Sequence, residues 1–192
     1  MSVSGAYHHF RTITRHRHRV IAHCFKAGIP WRGLMHDLTK YAPAEFCEGA
    51  RCWLGDRSPT EKARATVGYS AAWLHHKGRN RHHFEYWKDY GPDRVEIPVR
   101  MPVIFVLEMF CDRVAASKIY QGEKYDQHHP LLYFRRSKDT RVIHPETSAL
   151  LESWLVLLDE KGEKETFAYL RALRHELRKK GDDWIYERTN LA

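Results

Sequence analysis

With 192 residues, 43% of them apolar, 12% aromatic and 29% charged, the chain is long enough for one domain with a buried core, which excludes a disordered, collagen-like or low-complexity protein. No window approaches the roughly 18 uncharged apolar residues of a membrane span, and the start MSVSGAYHHFRTITRHRHRV carries no apolar secretory stretch, so a cytoplasmic protein without membrane contact is expected. The net charge of +8 favours anionic ligands, phosphates and nucleic acid alike.

In chain order, Phe10, Ile13, Val20, Ile21 and Cys24 recur at helical spacing between about His8 and Ala27, and Gly28 supplies a stop. Pro30 opens a second helix carrying Trp31, Leu34, Met35 and Leu38 through WRGLMHDLTKY, and Pro43 a third reaching Leu54. Ser58, Pro59 and Glu61 give a capping pattern for a helix running through Tyr69 and Trp73 to His76. Lys77 to Ile97, with Gly78, Asn80, Gly91 and Pro92, reads as a loop with one helical turn from Phe84 to Trp87. Pro102 to Ile119 follows as an apolar helix with Val103, Val106, Leu107, Phe110, Val114 and Ala115 on its core face. Two amphipathic helices, Pro145 to Asp159 and Glu163 to Lys180, are separated by Gly162, and their Trp154, Leu155, Leu158, Phe167, Leu170 and Leu173 suit either the core or a homodimer interface. Nothing alternates with period two, so the expected class is all-α, a bundle of about six or seven helices in a single domain over 1–192, with a motif core at about 7–120 and helices over 145–180 packed on it. The cysteines, Cys24, Cys47, Cys52 and Cys111, match no CxxC zinc pattern and no disulfide framework, and read as reduced thiols.

Histidine is the unusual component, with 14 copies, ten of them in the pairs 8/9, 75/76, 82/83 and 128/129 and the near pair 16/18. Packing does not call for such clustering, whereas imidazole is the commonest protein ligand for metals. His36-Asp37 sits in an apolar frame on what reads as a buried helix, and the pair can offer a nitrogen and an oxygen to one cation; alone, such a dipeptide is more often a surface hydrogen-bonding pair. His16 shares a helix face with Val20 and His23, so one of the two histidines can face inward. Asp112, embedded in EMFCDRVAA, is either a surface partner of Arg113 or Lys118 or a buried carboxylate whose desolvation a cation offsets. WLHHKGRNRHHFEYW, residues 73–87, places four histidines on a helix end and a loop that can fold back toward one centre.

The order His16, His36-Asp37, middle histidines, Asp112 resembles the H…HD…H…D pattern of the HD-domain metal-dependent phosphohydrolase superfamily. The strings HDLTKYAPAEF, AWLHHKGRNRHHFEYW, MPVIFVLEMFCDRVAASK and HPETSALL are similar to a small family of HD-type proteins of bacteria and phages, over about residues 7–155. The resemblance implies an HD-like helical fold and a divalent metal (Mn, Mg, Co, Fe or Zn) held by His16, His36, Asp37 and Asp112. His18 or His23 is the alternative at the first position. His76 and His83 are implied as ligands of a second ion, with His75 and His82 as the alternatives within each pair.

A divalent ion so held lowers the pKa of bound water and polarises a phosphoryl oxygen, so hydrolysis of a nucleotide or another small phosphate ester or anhydride is the expected reaction. Lys40 can neutralise phosphoryl charge, assisted by Arg19 or Arg113, and Glu45 can accept the proton of the attacking water; a solvated lysine and a dipole-stabilising first-turn glutamate are the plainer roles. Asn80 and the aromatic residues Phe84, Tyr86 and Trp87 can contact a base or sugar, or simply pack. Two other classes compete: a di-iron oxygenase on the same fold, and a non-enzymatic nucleic-acid binder using TRHRHRV and RHELRKK.

Overall fold

The computed structural model describes residues 3–55 and 57–189, and among them the chain is an all-α bundle of nine helices with one short hairpin. α1 (Val3–Lys26) buries Ile13, His16, Val20, His23 and Cys24, the stripe that steps of three and four residues produce. α2 (Pro30–Met35) is shorter than the sequence suggests. His36 is extended and Asp37 left-handed, at φ 53 and ψ 25, before a 3-10 turn over Leu38–Tyr41, so the His-Asp pair lies on a chain break and not within a buried helix.

The apolar frame around that pair also faces the other way: Trp31, Leu34, Met35 and Leu38 are exposed. The reason is Gly33, which lays α2 directly on α1; a Cβ there would meet Cys24 Cβ at 2.7 Å and Ile21 Cα at 3.1 Å. Backbone contact at Gly33 replaces side-chain contact, and the larger residues turn outward.

α3 (Pro43–Cys52) follows. The single helix expected from Ser58 to His76 is two, α4 (Pro59–Val67) and α5 (Ala71–Lys77). Gly68, at φ 83, stops the first, and Ser70 caps the second by accepting from Trp73 N at 3.0 Å. Glu48 takes the Ser70 hydroxyl and the Ala71 and Ala72 amides. The loop that follows carries the expected turn, at Phe84–Tyr86. It also holds an unexpected antiparallel pair, β1 (Lys88–Tyr90) and β2 (Glu96–Pro98), with Asp89 opposite Ile97. Three residues per strand are too few for alternation to be read.

α6 (Val103–Gln121) is the central helix and buries all six expected core residues. α7 (His129–Arg136) and α9 (Asp183–Thr189) were not anticipated; both are short. α8 (Pro145–Lys180) is broken at Gly162 (φ 76, ψ 174), giving the two expected halves. Their Trp154, Leu155, Leu158, Phe167, Leu170 and Leu173 are buried within this chain with Phe110, so they complete its core. All four cysteines are free thiols. Among the described residues no helix is long and apolar enough to cross a membrane.

Candidate metal centre

Four pieces of chain meet at one buried point. α1 brings His16, the break after α2 brings His36 and Asp37, α5 and its following loop bring His76, His82 and His83, and α6 brings Glu108 and Asp112. The break is held by Arg17, which donates from Nε to the His36 carbonyl at 3.2 Å and from Nη2 to the Leu34 carbonyl. A left-handed aspartate there turns its carboxylate back over the preceding imidazole, with His36 Nε2 3.2 Å from Asp37 Oδ2.

Besides the smaller group His36, His82 and Glu108, two four-residue sets each bring one ligand atom within 4.8 Å of the others and could hold a metal ion: His16, His36, Asp37 and Asp112, and Asp37, His76, His82 and His83. Asp37 belongs to both. In the first set His16 Nε2 lies 2.9 Å and His36 Nε2 3.5 Å from Asp112 Oδ1. In the second, His76 Nε2 and His82 Nε2 lie 3.3 and 3.5 Å from Asp37 Oδ1. Two donors about 2.1 Å from one ion at tetrahedral or octahedral angles stand about 3.0–3.4 Å apart, so these spacings suit coordination. The Nε2 atoms of His16, His36, His76, His82 and His83 and Oδ1 of Asp37 are buried without a well-formed hydrogen bond. So many orphaned polar atoms aimed at one another are costly unless a cation joins them.

The outer nitrogens of His36, His82 and His76 meet carboxylates. His36 Nδ1 donates to Glu108 Oε1 at 3.0 Å, His82 Nδ1 lies 3.3 Å from the same oxygen, and His76 Nδ1 donates to Glu45 Oε2 at 2.8 Å. Arg32 pairs with the other oxygen of Glu108 at 2.6 Å. A carboxylate on Nδ1 fixes the tautomer that leaves the Nε2 lone pair free, the usual arrangement behind a metal-bound imidazole.

The electrostatics agree. Burial lowers the His16 pKa and, with the charges of His82 and His76, holds His83 well below the ordinary imidazole range, so both rings are neutral donors. Burial opposes ionisation of Asp37, yet His36, Lys40 and His76 outweigh it and hold that carboxyl well below its usual range. His36 is raised, despite burial, by Asp37, Asp112 and Glu108, and His76 by Asp37 and Glu45. The protons these rings attract are replaceable by a metal cation at the same place.

All six sequence-predicted ligands are therefore neighbours, and His82 joins His83 where only one of them was expected. His75 lies outside, on Glu45 Oε1 at 2.6 Å. His18 is exposed, and His23 is buried elsewhere, with Nδ1 on the Cys111 carbonyl and Nε2 beside Lys118. Glu45 stands behind His76 and not on the open side of the cluster, because both its oxygens are taken by His75 and His76. Lys40 reaches the centre, 2.6 Å from Asp37 Oδ2; burial weakens its charge, but Asp37 and Asp112 hold its pKa above the ordinary lysine value. Asn80 is buried and braces the cluster by donating to Thr39 Oγ1 and the His76 carbonyl, both at 2.9 Å. Trp87 packs against Phe105 and donates to the Arg81 carbonyl at 2.7 Å, which makes it a packing residue. Arg19 is exposed on α1, off the face that carries His16. Arg113, next to Asp112, lies over the Phe134 ring. Glu108 was missed, although the argument applied to Asp112 reaches it too: it is a carboxylate in an apolar helix, one turn earlier.

Fold and cluster together define an all-helical protein with a buried, histidine-rich site able to hold a metal ion. The chain belongs to the Family of unknown function (DUF5662), whose model matches residues 5–156, a span that contains every residue of the cluster. Neither a curated protein nor a solved structure matches it.

Proposed function

We propose that the chain is a divalent-metal-dependent phosphohydrolase of the HD type, acting on a nucleotide or a similar small phosphate ester or anhydride. The observation that carries the reading is Asp37, whose two oxygens each face imidazole nitrogens of a different set, as a carboxylate shared by two ions requires. His16, His36, Asp37 and Asp112 would hold one ion and Asp37, His76, His82 and His83 the other. When bound, such ions activate water as a nucleophile and polarise a phosphoryl oxygen; nitrogen-rich sets of this kind suit Mn, Fe, Co or Zn better than Mg.

The chain's own residues supply orientation and charge. Glu108, backed by Arg32, and Glu45 hold the imidazoles; Lys40, with a third of its side chain exposed, is the cation nearest the open side and can donate to a phosphoryl oxygen. The same nitrogen-rich donor set also suits two iron ions in an oxygenase, and oxygen uptake by the iron-loaded protein without phosphate release would select that reading.

The test is metal analysis of the purified protein, followed by assay with each metal against nucleoside mono-, di- and triphosphates, dinucleotides and generic phosphate esters. We expect one to two equivalents of metal and metal-dependent phosphate release, with Asp37→Ala reducing both to background. Full metal stoichiometry in Asp37→Ala, or no turnover with any metal, overturns the proposal.

A further inference from the structure

Immediately beyond Asp112 on α6, Arg113 turns toward α7, where its guanidinium lies 5.7 Å from the centroid of the buried Phe134 ring. Arg141, from the turn before α8, lies 4.1 Å from the same ring and donates from Nε to the Ser137 carbonyl at 3.0 Å. Two guanidiniums thus share one aromatic ring. Arg113 Nε and both terminal nitrogens of Arg141 are buried with no hydrogen-bond acceptor. Several other arginines are treated differently, Arg32 pairing with Glu108, Arg100 with Glu146 and Asp183, and Arg135 with Glu152; Arg174 also has a buried, unpaired Nε but stands without a second guanidinium on a shared ring.

An acid on the loop after α5 does not supply the missing acceptor. Glu85, two residues beyond His83, has a buried Oε2 that is likewise without a partner. Buried guanidinium nitrogens without an acceptor are unfavourable, and an oxyanion that accepts from both side chains removes the deficit.

We infer that Arg113 and Arg141, beside Glu85, form a seat for a phosphate-type oxyanion next to the candidate metal centre. The inference rests on the proposed hydrolase reading and narrows its substrate. One phosphoryl group is held at the metals and another at the arginine pair, so the class is a nucleoside di- or triphosphate or a dinucleotide and not a monophosphate. Arg113 follows Asp112 on α6 and Glu85 lies two residues beyond His83, so the seat and the centre are built on the same two segments of chain.

The test is calorimetric titration of inorganic pyrophosphate into the full chain with excess chelator present, so that no metal contributes. The wild type and Asp37→Asn should bind one equivalent with equal affinity, while Arg113→Gln and Arg141→Gln should bind at least tenfold more weakly. Arg141→Lys, which keeps the charge without the fork, should fall between and carries the test if a glutamine variant does not fold. Arg174→Gln is the control: Arg174 lines a separate basic groove of about 480 Å³ with Arg171, His175 and Arg178, and its loss should change nothing. No saturable binding, wild-type affinity in the Arg113 and Arg141 variants, or loss of binding in Arg174→Gln overturns the seat. Pyrophosphate binding at the arginine pair without turnover of any substrate leaves the seat standing and removes the hydrolase; turnover without that binding does the reverse.

Discussion

Asp37 has φ 53, a conformation in which aspartate is among the few side chains tolerated apart from glycine. It is also the residue both candidate ligand sets share. Backbone geometry and ligand chemistry thus converge on one amino acid, and asparagine keeps the first property while weakening the second. Glu108 is the more informative position, because it backs imidazoles of both four-residue sets and is itself a possible ligand together with His36 and His82. Its Oε1 takes His36 and lies beside His82, while Arg32 holds Oε2. Glu108→Gln keeps the shape but removes the charge that fixes the imidazole tautomer. Metal affinity, measured by competition with a chelator, should fall about 10- to 100-fold while the helical circular dichroism is unchanged. Unchanged affinity would assign Glu108 to packing alone.

α6 works because two carboxylates one turn apart project from an otherwise apolar helix toward the same point, Glu108 behind the imidazoles and Asp112 among them. Desolvation of both is offset by partners on α1, α2 and the break after it. The broken helix α8 shows the opposite logic, where a single residue permits the geometry. Gly162 sits at φ 76, ψ 174, a region essentially reserved for glycine, and a Cβ there would also meet Gln127 Oε1 at 2.9 Å. Gly162→Ala should cost about 1–3 kcal/mol in urea unfolding, with the metal content of the folded fraction unchanged. A neutral substitution would mean that the two halves of α8 can join without penalty.

Burial of ionisable groups gives the bundle its response to acid. His9 and His23 are buried outside the ligand sets, and desolvation lowers each from 6.5 to about 4. Folded-state pKa values below the unfolded ones mean that the unfolded chain binds more protons between pH 6.5 and 4, so stability is lost as pH falls through that window. For His23 the loss reaches about 2 kcal/mol at pH 5. Melting of chelator-treated wild type and His23→Gln at pH 7 and pH 5 should therefore show a smaller acid loss in the variant, and parallel losses would refute the assignment. The class of fold, the core face of α6, both halves of α8 and the histidine- and carboxylate-bearing segments were legible in the chain, because apolar periodicity and the chemistry of imidazole beside carboxylate are local properties, whereas the set of six ligands came from the resemblance to HD-type proteins. Which histidine of a pair turns inward was not legible, nor that His82 joins His83, that Glu45 lies behind a ring and Trp87 in the packing, or that Gly33 turns the apolar face of α2 outward. Those outcomes depend on how closely helices approach and on the direction in which a loop returns, and neighbours in space but not in sequence decide both.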